Sequence, residues 1–255
     1  MSGIAVTKMH GARNDFIVLD RRARDPIDLA AFARTWCDRH TGVGADGVLA
    51  IEDSDRAAAR MRVINANGSF AQMCGNGIRC VARLLDEAGD GDELEIETDA
   101  GIIQTRVIAR EPEYLVRVMM GVPGFEPRAL PIDDAIFVDM GNPHVVAVRE
   151  TGDPFDLAKV GAAFQRESVC PGGANVHHVI VDAGVLRVRH YERGAGLTMA
   201  CGTGAVASAA VAIRRGLLRS PVEVLVPGGR LLVEWDGVGA AYLTGPAVRV
   251  FDTVL

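Results

Sequence analysis

The feature that most constrains this chain is that its two halves repeat each other. Written under itself at an offset of 127, the sequence places Cys74 on Cys201, Gly75 on Gly202, Gly77 on Gly204, Gly89 on Gly216 and Gly101 on Gly228. An offset of 128 superposes Asn14 on Asn142. The shared pattern is C-G-x-G, an apolar helical stretch, a closing glycine, a strand, and a glycine turn into another strand. Chance among 29 glycines supplies one or two such matches, not four in register with a matched cysteine. Repeats of about 120 residues are domain-sized, so two similar domains facing each other are expected.

The apolar patterning predicts a mixed α/β fold in both halves. Alternating segments at Phe16–Leu19, Glu93–Glu97, Ile102–Val107 and Tyr114–Val118 read as strands. So do Val145–Val148, His178–Val181, Leu186–His190, Val222–Val226 and Arg230–Trp235. Helices are expected over Leu29–Arg39, Gly77–Glu87 and Gly204–Arg214. Strand–turn–strand units dominate, so the sheets should be mostly antiparallel or mixed. Gly42 to Gly47 spells G-x-G-x-x-G, but it follows a helical segment and leads into a strand. The dinucleotide fingerprint needs the reverse order, so this reads as an ordinary glycine-rich turn.

Composition narrows the function. At 49% hydrophobic and 24% charged residues the chain has ample core material. A net charge of −6, with both signs interleaved, lacks the basic stripe that nucleic acid requires. The longest apolar run, Met199 to Ile213, is shorter than the ~20 residues that span a bilayer. With no signal-like N-terminus, a cytoplasmic location is expected. The five cysteines form no C-x-x-C pair and no zinc-spaced cluster with histidine. Cys37, Cys80 and Cys170 read as small buried hydrophobes.

Cys74 and Cys201 differ, because each precedes a helix that opens with a Gly-x-Gly turn. A helix start presents free N–H groups and partial positive charge, which favours a thiolate and can hold a carboxylate. Two such turns brought together would grip one carboxylate, with its carbon between two sulfurs. That suits proton exchange at the α-carbon of an amino acid: one thiolate removes the proton and the opposite thiol returns one to the other face. A noncatalytic amino-acid-binding protein or a thiol redox sensor would need only the pocket, and both stay open on the residues alone.

These residues resemble the diaminopimelate epimerase family over nearly the whole chain. The likeness runs through Lys8 to Gly11, Asn14 to Phe16, Gly42 to Gly47, Asn65 to Ser69, Gln72 to Arg79, Met140 to His144, Tyr191 to Gly196, Ala200 to Gly204 and Pro227 to Gly229. Leu197 and Gly172 to Ala174 depart from the usual pattern beside the substrate shell. The resemblance implies two pseudo-symmetric domains, each a sheet wrapped around a central helix: residues 1–117 with 246–255 carrying Cys74, and 118–245 carrying Cys201.

It further implies that Cys74 and Cys201 are the catalytic thiols, supported by His144 and Glu192. Gly75 with Asn76, and Gly202 with Thr203, would hold the α-carboxylate; Asn14, Asn65, Asn142, Asn175, Glu192 and Arg193 would complete the substrate shell. Arg193 is the natural partner of a distal carboxylate. The implied activity is interconversion of LL- and meso-diaminopimelate in lysine and cell-wall precursor synthesis, without cofactor or metal, by a homodimer. Racemases of this fold acting on histidine, proline or hydroxyproline are the alternatives.

Overall fold

The computed structural model describes residues 3–255; Met1 and Ser2, the start of the expected first half, lie outside them. The first elements are β1 (Ala5–Gly11), β2 (Asn14–Asp20), α1 (Leu29–Trp36), β3 (Gly47–Glu52), β4 (Ala59–Asn65), β5 (Phe70–Ala71), α2 (Gly75–Ala88), β6 (Glu93–Thr98), β7 (Gly101–Ala109) and β8 (Leu115–Gly121). Then come β9 (Gly124–Phe125), β10 (Ile136–Asp139), β11 (Pro143–Arg149), α3 (Leu157–Phe164), β12 (Asn175–Asp182), β13 (Val185–Glu192), β14 (Gly196–Thr198) and α4 (Gly202–Arg214). The last are β15 (Val222–Val226), β16 (Gly229–Glu234), β17 (Ala241–Pro246) and β18 (Val248–Val254). The described residues divide into two compact units, one running to Val118 and resuming at Gly245–Leu255, the other Met119–Thr244.

In the first unit β1 pairs antiparallel with β18 and β2, and β2 pairs parallel with β3. Strand β4 is antiparallel to β3 and β5 and parallel to β6, and β7 joins β6 to β8 antiparallel. Helix α2 packs against β1, β2, β3, β4 and β7, so the sheet curves around it. Helix α1 closes the other face with Leu29, Phe32 and Ala33 on Ile17, Leu19, Val48 and Ala50. Burial on both faces explains why β3 reads as a continuous apolar run.

The second unit repeats this plan element for element. Strand β10 is antiparallel to β9 and β11, and β11 is parallel to β12. Strand β13 is antiparallel to β12 and β14 and parallel to β15; β16 is antiparallel to β15 and β17. Helix α4 packs on β10 to β13, β15 and β16, while α3 covers the opposite face with Leu157 and Phe164. The fold is the mixed α/β type expected, each sheet built around a central helix.

Three local readings need correction. The glycine that opens the second hairpin strand is Gly101 in the first unit and Gly229, not Gly228, in the second. Thr98 pairs with Gly101 and Val226 with Gly229, both glycines at positive φ (119° and 145°). Helix α1 stops at Trp36 rather than Arg39, because the Trp36 and Cys37 carbonyls turn to accept from Gly44 and Ala45. Helix α3 gave no clear sequence signal; Gly161 sits in its middle because a Cβ there would come within 2.2 Å of the Tyr191 ring.

Candidate active site

Cys74 ends an extended segment (φ −140°, ψ 113°) and N-caps α2, its sulfur accepting from the Gly77 N–H at 3.4 Å. A Cβ at Gly77 would come within 2.9 Å of the Leu49 side chain, which would have to shift. The β1–β2 hairpin delivers Asn14 to this turn. Its two-residue bend, Ala12 and Arg13, takes the left-handed φ values (51° and 63°) that tight hairpins use. The Asn14 Oδ1 accepts from Cys74 Sγ at 3.7 Å and from Asn76 Nδ2 at 3.3 Å. Its Nδ2 donates to Asp46 at 2.7 Å, which fixes the amide's orientation.

Beneath the turn lies Arg79, fully buried. Its guanidinium donates to the Gly75 carbonyl, Asn76 Oδ1 and the Pro246 carbonyl at 3.0, 3.0 and 3.1 Å. Burial pushes its pKa down to about 10. Arg79 thus clamps the first turn of α2 from inside, a role the sequence did not single out. Asn65, at the end of β4, donates to Ser69 Oγ at 2.9 Å. Asn67 is turn chemistry, its Oδ1 accepting from the Ser69 N–H and hydroxyl.

The second unit places Cys201 as N-cap of α4 with similar backbone angles (φ −125°, ψ 112°). Its surroundings are different. The thiol is buried, and its pKa is raised well above the ordinary value. Desolvation is the main cause, followed by the charge of Glu192 and a hydrogen bond to it; the Thr203 hydroxyl and the Gly204 N–H pull the other way. The N–H at the helix start lowers this pKa, but by less than burial and Glu192 raise it. At Cys201 burial beside a carboxylate outweighs the lowering that the helix start supplies, so the net shift is upward.

Elsewhere in the second unit the expected shell falls into two connected groups. Asn175 accepts from the Arg193 N–H at 2.9 Å and donates to the Pro143 carbonyl at 3.1 Å. His144 meets Asn142 Oδ1 through Nε2 at 2.8 Å, and His177 Nε2 through Nδ1 at 2.8 Å. Both ring nitrogens of His144 are therefore engaged. Burial lowers the His144 pKa to about 3, with nearby His190 and Arg193 adding to the effect. His177 and His190 were not singled out from the sequence; only strand register brings residues 33 and 13 positions apart into line.

The profile of the family described as Diaminopimelate epimerase matches residues 6–126 and 136–250. A diaminopimelate epimerase of Azoarcus sp. (strain BH72) is 42% identical over 98% of this chain and 97% of its own length. One from Archaeoglobus fulgidus is 40% identical over 99% and 96%. Among solved structures, a PhzF-family phenazine biosynthesis protein of Bacillus anthracis is similar with a TM-score of 0.78 at 19% identity, over 100% of this chain and 99% of that one. A hydroxyproline epimerase from Agrobacterium vitis gives 0.71 at 18%, over 100% and 94%. At such identities these two likenesses concern the fold alone.

Proposed function

The chain belongs to the diaminopimelate epimerase family, and on that premise we propose that it interconverts LL- and meso-diaminopimelate by two-cysteine proton exchange. The Cys74 thiolate takes the α-proton, leaving the electron pair on the α-carbon and its carboxylate. N–H groups at the starts of α2 and α4, with Asn76 and Thr203, stabilise that charge. The Cys201 thiol then protonates the opposite face. Cys74 ends as thiol and Cys201 as thiolate, and the reverse reaction exchanges their roles. This chemistry is assigned to the thiols and helix starts and calls for no cofactor.

The observation that carries the reading is a Gly-x-Gly helix start with cysteine at the N-cap in both units, with burial first and Glu192 second raising the Cys201 pKa. Asn14, Asn65, Asn142, Asn175 and Glu192 serve the substrate's polar groups in this reading. Arg193 takes the distal carboxylate: it is exposed and makes no ion pair among the described residues. No helix among the described residues is long and apolar enough to cross a membrane. We assign the enzyme to the cytoplasm and to a homodimer, whose apolar contact would draw on Val250, Phe251 and Val254, exposed along β18. Purified protein should convert LL-diaminopimelate to the meso isomer without additives and leave histidine, proline and 4-hydroxyproline unchanged. Turnover of one of those three in place of diaminopimelate would overturn the substrate assignment.

A further inference from the structure

A line of buried polar groups crosses the sheet of the second unit under α4. His144 on β11, His177 on β12 and His190 on β13 are each at most 1% exposed. His144 Nδ1 meets His177 Nε2 at 2.8 Å, and His177 Nδ1 meets His190 Nδ1 at 2.9 Å. Thr198 stands opposite His190 across the β13–β14 pairing. Neither His190 Nε2 nor Thr198 Oγ1 has a hydrogen-bond partner among the described residues, although both atoms are buried.

The first unit shows what this line replaces. By pairing register, His177 corresponds to Leu49, His190 to Val63 and Thr198 to Ala71, and the same offsets bring His144 onto Phe16. Where Leu49 lies against Gly77 of α2, His177 lies against Gly204 of α4, 2.4 Å from where a Cβ would sit. One fold thus packs this site with four apolar residues in one unit and four polar ones in the other. Burying polar groups is unfavourable unless they are bonded, so the polar set is not needed for packing.

The line has a direction. A neutral imidazole offers one donor and one acceptor. Burial keeps His144 and His190 down to about 3 and His177 well below the usual value, so all three rings are neutral. If Asn142 accepts through Oδ1, then His144 donates from Nε2, His177 from Nε2 and His190 from Nδ1. The line ends on a bare lone pair at His190 Nε2. The reverse direction would end on an N–H buried without an acceptor, which proteins avoid more strictly than a bare acceptor. A single water between His190 Nε2 and Thr198 Oγ1 would satisfy both. The rings run in a line rather than converging, and no group of three or more His, Cys, Asp or Glu among the described residues could hold a metal.

We infer that His177 and His190 are positioning residues: their directed chain holds His144 as the Nε2–H tautomer, which grips Asn142 by its carbonyl oxygen and presents the Asn142 amide N–H groups to the substrate. The role of Asn142 rests on the proposed function; the tautomers do not. Nitrogen-15 spectra of the full chain labelled on histidine test the second part without substrate. His144 and His177 should carry the proton on Nε2 and His190 on Nδ1, with none titrating between about pH 6 and 8. His144 protonated on Nδ1, or any of the three cationic at neutral pH, overturns the inference.

Variants test the link to Asn142. His190→Leu removes the donor to His177 Nδ1, so the His177 and His144 signals should shift toward a mixture of tautomers. KM for diaminopimelate should rise about tenfold, the loss of one hydrogen bond, with kcat changed less than about twofold. His190→Asn, whose amide nitrogen replaces Nδ1, should restore both readings. A raised KM in His190→Leu with unchanged tautomers contradicts the mechanism. If the leucine variant does not fold, the wild-type spectrum still decides. A wild-type protein with the stated tautomers but no diaminopimelate turnover would sink the proposed function and leave the chain standing.

Discussion

The two units share strands, register and a central helix with cysteine at its N-cap, yet the arginine and histidines they bury completely lie in different elements. In the first unit a guanidinium is buried on the helix: Arg79 clamps the turn that carries Cys74, while the matching strand positions offer Phe16, Leu49 and Val63. In the second, imidazoles are buried in the sheet: His144, His177 and His190 line up below α4, and the helix position matching Arg79 is the apolar Val206. A buried cation adjoins Cys74, and a carboxylate adjoins Cys201. Duplicated scaffolding with unlike electrostatics suits a reaction that needs a base on one side and an acid on the other.

The largest expected effect removes the symmetry altogether. Cys74→Ala and Cys201→Ala should each lower epimerisation by about 10²–10⁴-fold, with circular dichroism unchanged, since each loses one proton-transfer group. Near-wild-type turnover in either variant would break the comparison at its root. Next is Arg193→Met, which withdraws a charge-assisted partner from the distal carboxylate. KM for diaminopimelate should rise roughly 10–100-fold, corresponding to about 1.5–3 kcal/mol. An unchanged KM would take Arg193 out of the substrate shell.

Arg79→Met tests the clamp. It leaves the Gly75 and Pro246 carbonyls and Asn76 Oδ1 without their donor, so thermal unfolding should report a loss of about 2–4 kcal/mol. The mirror change, Val206→Leu, only perturbs apolar packing and should cost less, about 1–3 kcal/mol. The smallest effect is Glu192→Gln. Removing the neighbouring negative charge should lower the Cys201 pKa, so alkylation of this thiol shifts to lower pH without becoming fast, because burial remains. A profile that does not move would mean that desolvation alone sets this thiol.

Much of this was legible in the chain. The C-G-x-G turns and closing glycines are local signals with local causes, a helix cap and left-handed backbone, and they locate both thiols and the central helices. The polar asymmetry was not legible, because it depends on strands distant in sequence. His177 followed by His178 looks like a single feature, yet alternation sends the first under α4 and stacks the second on Phe155, ring centroids 5.1 Å apart. Arg79 sat inside a recognised motif, but only the return of the chain at Pro246 supplies its third acceptor. The pKa of Cys201 also escaped, since a helix start is visible in sequence and the depth of burial is not.

The central claim is that two different thiols handle the two faces of one carbon, and isotope transfer tests it most directly. LL-diaminopimelate is incubated with the enzyme in D₂O and both isomers are analysed by mass spectrometry while conversion is still low. The account predicts that the meso product carries deuterium at the inverted carbon while unreacted LL substrate keeps its α-hydrogen, because the group that gives the proton is not the group that took it. Product that retains the original hydrogen would mean that a single base serves both faces, and would contradict the assignment of Cys74 and Cys201 as a pair.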